Sequence, residues 1–354
     1  MKLSFLPSAM PGGSMNSPPE AAASVSLDLD DKWTYMKTRG LAGWEVFPSY
    51  LEVAVPRILR FLEERKLRIT FFIVGQDAAL PRNAPLLRSI ARAGHEIGNH
   101  SFHHEPWLHL YSHTEIEREV ALAEQHIEGV TGRRVRGFRG PGFSTSTAVA
   151  DVLAARGYRY DASRLPTFLG PLARAYYLMT SNLDWKERRR RGRLYGRWRD
   201  GFGSLRPHRS ERSSLVDIPV TTVPIVRTPF HLSYLIWLSG HSPAGARQYL
   251  NMALASCRAC HIAPSFLLHP LDFLQLSEAP ELGFFPGMTL PLHRKLEVAD
   301  SALAGIAARY RIFTLEEHAL AAADSAGSGA SEWTLQPAHE AAAQPPSLPE
   351  GKIR

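Results

Sequence analysis

The stretch Val25-Ser-Leu-Asp-Leu-Asp-Asp31 decides the reading of the fold. An apolar run alternates and then breaks into carboxylates, the pattern of a buried strand whose far end carries polar groups. Successive residues of a strand point to opposite faces, so Asp28 and Asp30 share a side. In a parallel barrel, groups at the C-terminal ends of strands converge on one mouth, and that mouth is where these acids are expected. Asp31 reads instead as a cap for the next segment.

Working outward, further short apolar runs read as strands: Ile69–Val74, Glu96–Gly98, Val135–Phe138, Tyr158–Tyr160, Leu215–Val220 and Ser265–Leu268, after the first at Val25–Leu29. Amphipathic stretches near 51–65, 81–93, 114–128, 145–156, 243–259 and 290–308 read as helices, and a last strand is expected near 311–314. This β/α alternation predicts parallel strands with crossover helices. Seven main strands predict a single α/β domain, a distorted (β/α)7 barrel of TIM-barrel type. Polar residues follow the strands in order: Asp28 and Asp30, then His100 and His104, Arg139, Asp161 and His269.

The domain is assigned to 23–322, with a basic and apolar insertion at about 170–240. The Pro-, Gly-, Ser- and Ala-rich ends, 1–22 and 323–354, read as disordered. The formal charge of +7 is local: residues 186–199 hold eight Lys/Arg against one Glu, and the remainder balances. General nucleic-acid binding therefore loses its support. Two cysteines exclude a disulfide framework, so a buried core must stabilise the chain. Pro7, Pro11, Gly12 and Gly13 interrupt the first apolar run, and the chain is expected to be cytoplasmic.

His100 and His104 stand four apart in Asn99-His-Ser-Phe-His-His-Glu105, a spacing that on a helical turn brings two imidazoles to one cation. Two carboxylates beside one cation divide naturally into a ligand and a free base. Two His and one Asp leave positions open for water and a substrate oxygen, as in catalytic rather than structural centres. In Phe138-Arg-Gly-Pro-Gly-Phe143, Arg139 can fix a carboxylate, and Gly140 and Gly142 let backbone approach a substrate closely. His269, in Leu267-Leu-His-Pro270, is a candidate general acid. Asp161 is placed to orient His269 or Arg139, or to cap a helix. Trp33, Tyr35, Trp44 and Trp107 lie beside these motifs as stacking candidates for a sugar ring, with core packing expected for at least half of them.

Taken together, these segments resemble the polysaccharide deacetylases of the NodB-homology type, carbohydrate esterase family four, over about residues 24–318. The matching segments are the acids at 28–30, His-Ser-x-x-His at 100–104, Arg-x-Pro at 139–141, Tyr-Asp-x-Ser at 160–163 and Leu-x-His at 267–269. The resemblance implies metal-dependent removal of an acyl group from an amino sugar. By position it implies Asp30, His100 and His104 as metal ligands and Asp28 as the base. It implies His269 as the acid, Arg139 holding Asp28, and Asp161 tuning the charged pair. The expected ion is zinc. The chain departs from the family in spacing its acids two apart and in having Gly142 where a tyrosine is usual, leaving the Gly142 N–H for the oxyanion. Two other readings stay open: a hydrolase of small linear or cyclic amides, and an inactive sugar- or membrane-binding barrel.

Cys257-Arg-Ala-Cys-His261 spells a haem-attachment motif, yet it lies on an expected helix, and no haem is assigned. The basic stretch 186–199, with Tyr195 and Trp198, together with the apolar run 230–238, suits anionic headgroups. These segments predict peripheral contact with the inner face of a membrane and a lipid-linked substrate.

Overall fold

The computed structural model describes residues 21–183, 185–190, 194, 198–210 and 214–328. Strand β1 (Ala22–Leu29) is buried throughout. Its alternation separates two environments. Val25, Leu27 and Leu29 enter the main apolar core with the surrounding helices. Ser24, Ser26 and Asp28 face the opposite way, where Ser26 Oγ meets Arg139 and Ser24 Oγ meets His318.

After β1 come β2 (Thr70–Ile73), β3 (Glu96–Asn99), β4 (Gly137–Phe138), β5 (Tyr160–Asp161), β6 (His208–Arg209), β7 (Val216–Asp217), β8 (Ser265–Leu268) and β9 (Arg311–Phe313). The sheet runs β6-β7-β5-β4-β3-β2-β1-β8, with β9 also paired to β1. Every pairing is parallel except β6 with β7. Beyond β7 the chain reaches β8 without a regular ladder: Thr221 N donates to Ser265 O (3.1 Å), and Ser265 N donates to Thr221 Oγ1 (2.8 Å). These bonds tie the segment after β7 to β8. The fold is a distorted (β/α)7 barrel, as the strand count predicts, and the two-residue ladders β4, β5 and β7 are where it is least regular.

The six expected helices are found at Leu51–Glu64, Ala84–Arg92, His113–Thr131, Thr147–Ala155, Pro243–Ala259 and Leu292–Ala307. The third shows why its ends fall where they do. Ser112 and Glu115 form a reciprocal capping box at its start, and Gly132 ends it at φ +66°. Inside the barrel, Phe72, Tyr160, Ala162, Val216 and Ile218 pack on Leu315, Ala319 and Ala322 of the helix Leu315–Ser328. That helix closes the N-terminal end: Leu315 N donates to Thr70 Oγ1 (2.8 Å) and Glu316 N to Glu96 Oε2 (3.0 Å). Gly98 and Gly137 make room for the internal rings, since a Cβ would lie 2.5 Å from Phe72 and 2.0 Å from Tyr160.

Several boundaries differ from the sequence reading. β1 begins at Ala22, and the closing helix continues to Ser328, past the boundary drawn at 323. The rest of both terminal segments lies outside the described residues, as do 191–193 and 195–197 of the basic stretch. The run 230–238 is not a membrane surface. It enters the helix Leu232–His241, and Phe230, Leu232, Leu235 and Ile236 are buried in the core, leaving Trp237 partly exposed. Its low polarity reflects packing between the barrel and neighbouring helices. Among the described residues, no helix is long and apolar enough to cross a membrane. Cys257 and Cys260 are free; burial, and then Cys260, push the buried Cys257 thiol up to about 12.

Candidate metal centre

The site grows from the C-terminal end of β1. Asp28 is buried, and Arg139, fully buried just past β4, donates Nη1 to Asp28 Oδ1 at 2.7 Å. The same nitrogen donates to Ser26 Oγ (2.8 Å), and Nε donates to Ala162 O (3.0 Å). The guanidinium spans the barrel interior from β4 to β1, with its carbon 4.5 Å from the Phe72 ring centroid. Arg139 therefore reaches back to a carboxylate, as the sequence suggests.

Asp30 turns toward the two histidines. Its Oδ1 lies 3.2 Å from His100 Nε2 and 2.9 Å from His104 Nε2. The imidazoles stand with centroids 5.0 Å apart. They are not on a helical turn. His100–Pro106 is a loop, with Ser101 at φ 59° and His104 at φ 52°, a conformation costly for residues with a Cβ. Its shape is held by side chains outside the recognisable motifs. Asn99 Oδ1 accepts from Ser101 N (2.8 Å), and Glu119 Oε2 accepts from Phe102 N (3.2 Å) and His103 N (2.9 Å).

His100 Nδ1 faces Arg139 O at 2.6 Å. A carbonyl only accepts, so Nδ1 carries the proton and Nε2 keeps a lone pair aimed at Asp30. Burial alone would raise the Asp30 carboxyl, but the charges and contacts of His104 and His100 hold it well below its usual value. For His100, burial opposes the charged ring, yet the carboxylates of Asp28 and Asp30 raise its affinity for a proton overall.

His269 follows β8, and the register Leu27↔Leu268 sets it beside Asp28 at the mouth. Its Nδ1 lies 3.0 Å from Ser233 Oγ, and its backbone N donates to Asp272 Oδ2 (2.8 Å). Ser233 comes from a helix that sequence periodicity does not reveal, so its role is not legible from the motif. Asp161 does not touch His269 or Arg139. Its Oδ1 accepts from Ser163 N (3.0 Å) and from the Ser163 hydroxyl, which in turn accepts from Gly140 N (2.7 Å). Asp161 thus supports the loop after Arg139 rather than orienting the charged side chains. Burial, reinforced by Asp217, pushes it up to about 6.

Gly142 lies in the turn Pro141–Phe143 at φ 59°, a left-handed position that glycine suits. Trp33 is displaced from its expected place. It is buried at 1% exposure and donates Nε1 to Asp77 Oδ1 (2.9 Å), so it packs in the wall and has no face for a sugar ring. Asp31 caps the helix Lys32–Arg39, accepting from Lys32 N at 2.7 Å, as expected. Tyr35 gains importance: its buried hydroxyl has no hydrogen-bond partner. Burial first, then the carboxylate of Asp30, with Tyr50, Asp272 and Asp28, keeps it protonated far above the usual tyrosine range.

The ligand atoms of Asp30, His100 and His104 lie within 4.8 Å of one another. Asp30 Oδ1, both ring nitrogens of His104, Arg139 Nη2 and the Tyr35 hydroxyl are buried without hydrogen-bond partners. Buried polar atoms are rarely left unmatched, and two of these, Asp30 Oδ1 and His104 Nε2, face each other at 2.9 Å. A hard-to-borderline divalent cation fits this donor set: two imidazole nitrogens and one carboxylate oxygen.

Residues 21–160 match the family model described as polysaccharide deacetylase. A peptidoglycan deacetylase of Helicobacter pylori is 28% identical over 136 residues, which are 38% of this chain and 44% of that protein. A chitooligosaccharide deacetylase of Azorhizobium caulinodans is 33% identical over 105 residues, 29% of this chain and 49% of that protein. Both matches span less than half of the relative's length. A crystal structure from Mycobacterium smegmatis, described as a polysaccharide deacetylase, superposes with a TM-score of 0.58 at 20% identity. The superposition covers 95% of this chain and 100% of that one, a likeness of fold.

Proposed function

We propose, from the match of residues 21–160 to the polysaccharide deacetylase family model, that the chain removes an N-acyl group, acetyl in the simplest case, from an amino sugar of a glycan or glycoconjugate. The observation that carries this reading is the convergence of Asp30, His100 and His104 beside the Asp28–Arg139 pair. A divalent ion, zinc for preference, would be held by those three side chains and would supply an acidified water and polarisation of the amide carbonyl.

In this proposal Asp28 removes a proton from the attacking water while Arg139 keeps its carboxylate in place. His269 returns a proton to the leaving nitrogen, its ring position set by Ser233. The Gly142 N–H and the Tyr35 hydroxyl are the available donors for the developing oxyanion. Asp161 acts at one remove, through Ser163, on the loop carrying Gly140 and Gly142. A lipid-linked sugar met at the cytoplasmic face is the narrower form of the proposal, supported by the basic segment 186–199 and by two unpaired cysteines.

The test is acetate release across a panel of N-acetylated chitooligosaccharides, peptidoglycan fragments, lipid-linked amino sugars and cyclic imides. Release from the amino sugars alone supports the proposal, and turnover of only the imides overturns its substrate. His100→Ala and His104→Ala should each lose bound metal by elemental analysis; unchanged stoichiometry removes them from the ligand set. Asp28→Asn should retain metal and lower kcat by roughly 10²–10⁴-fold. A change within a few-fold would refute the base assignment.

A further inference from the structure

Exposed apolar side chains are unevenly spread over this molecule. Six of them lie on three segments that follow the C-terminal ends of β5 and β7: Leu169 and Leu172 at the start of the helix Gly170–Thr180, Trp198 and Phe202 on a 3-10 turn, and Ile225 and Val226. Exposure reaches 85% at Ile225, 72% at Leu172 and 67% at Phe202. The segments are tied to one another. Phe202 packs edge-on against Phe168 (5.2 Å) and Trp198 (5.5 Å). Thr167 Oγ1 donates to Arg227 O (2.8 Å), and Arg227 Nη1 donates to Gly203 O (3.1 Å). The Ile225-Val226 tip is held by the Thr222↔Pro229 bridge, with Ile225 at φ 72°, an outlying conformation for a β-branched residue. It projects an apolar pair into solvent, with Val226 56% exposed beside Ile225.

Charge gathers in the same region. Residues 164–209 hold twelve Lys/Arg and three Asp/Glu, while the rest of the chain holds 29 and 31. The whole positive excess of the protein thus falls on the segment that carries four of the six exposed apolar residues. Arg199, which adjoins Trp198, is exposed. Isolated surface leucines need no explanation, but clustered aromatic and aliphatic tips within a strongly basic segment do.

We propose that this surface docks on an anionic phospholipid bilayer, the apolar tips entering the interface while the arginines meet the headgroups. Trp and Phe at the tips suit the interfacial layer, and arginines bind phosphate through paired N–H donors. An anionic polymer in solution would use the arginines and leave Ile225, Val226 and Leu172 without a role. The loops follow β5 and β7, whose C-terminal ends also border the mouth with Asp28 and His269, so docking brings that mouth toward the bilayer. The inference replaces the buried 230–238 run with other residues as the apolar half of the contact. It bears on how the proposed enzyme meets its substrate, but it is tested without turnover.

The experiment is co-sedimentation of the full chain with vesicles of phosphatidylcholine, alone or with phosphatidylglycerol at 30% as the probe composition chosen on the order of that in anionic membranes. Binding should require the anionic lipid and weaken with added salt. Arg199→Ser should lower the partition coefficient by about fivefold. Phe202→Ser with Ile225→Ser should lower it by about tenfold or more at constant charge. Arg199, Phe202 and Ile225 are all exposed, so both variants are surface changes, checked by an unaltered melting temperature. Absence of binding to the anionic vesicles overturns the proposal. So does binding that the Phe202→Ser, Ile225→Ser pair leaves unchanged, or selective retention on heparin without vesicle binding. Acetate release from a soluble N-acetylated chitooligosaccharide, measured alongside, separates a failed docking surface from a failed deacetylase.

Discussion

Replacing Arg139 by Met should test the heart of the site more sharply than an activity assay. The side chain is fully buried and holds Asp28 by a 2.7 Å ion pair, with further bonds to Ser26 Oγ and Ala162 O. Met fills much of the same volume but leaves the Asp28 charge buried without its partner. Removing one member of a buried pair costs about 3–5 kcal/mol, against a total stability of about 5–15 kcal/mol. Arg139→Met should therefore fold but melt early. In an Asp28→Asn background the stranded charge is gone, and the cost of Arg139→Met should shrink by about 2 kcal/mol. Urea unfolding of the wild type, both single variants and the double variant measures each term. A cost below about 1 kcal/mol, equal in both backgrounds, would mean that Asp28 does not depend on Arg139 and would refute the reading.

Two further outcomes follow from the barrel interior. His318 is buried beside Ser24 Oγ (2.8 Å), and burial pushes it down to about 4. The unfolded chain takes up this proton near pH 6.5, so stability should fall as pH drops from about 6.5 to about 4, by about 3 kcal/mol in full. His318→Gln should flatten that slope in urea midpoints at pH 7, 6 and 5, and an unaltered slope would assign the titration elsewhere. Gly137→Ala would put a methyl 2.0 Å from the Tyr160 ring. It should lower stability by about 1–3 kcal/mol in thermal melts, whereas wild-type behaviour would mean that the ring has room to move.

Particular elements show how far the sequence can be read. Alternation and length are enough for β1 and the outer helices, because their burial pattern is periodic. The helices at Leu232–His241 and Leu315–Ser328 are hidden for opposite reasons. Leu232–His241 is apolar on nearly every face, whereas Leu315–Ser328 has the composition of an Ala-rich tail. The histidine pair is legible as a pair, but its loop is not, since Asn99 and Glu119 act through backbone amides that leave no spacing to recognise. Trp33 misleads because proximity in sequence to Asp30 says nothing of which way a helical side chain turns.

By itself the sequence determined that five of the seven expected strands end in, or are followed by, polar site residues, because the period of two along a strand and the order of the motifs are local properties. Only the tertiary structure decided which of those residues meet. Asp28 pairs with Arg139 across more than a hundred residues, Asp30 lies between two imidazoles, and Asp161 stops at Ser163. Such partners depend on strand register and barrel closure, quantities to which every segment contributes and which no single stretch of chain contains.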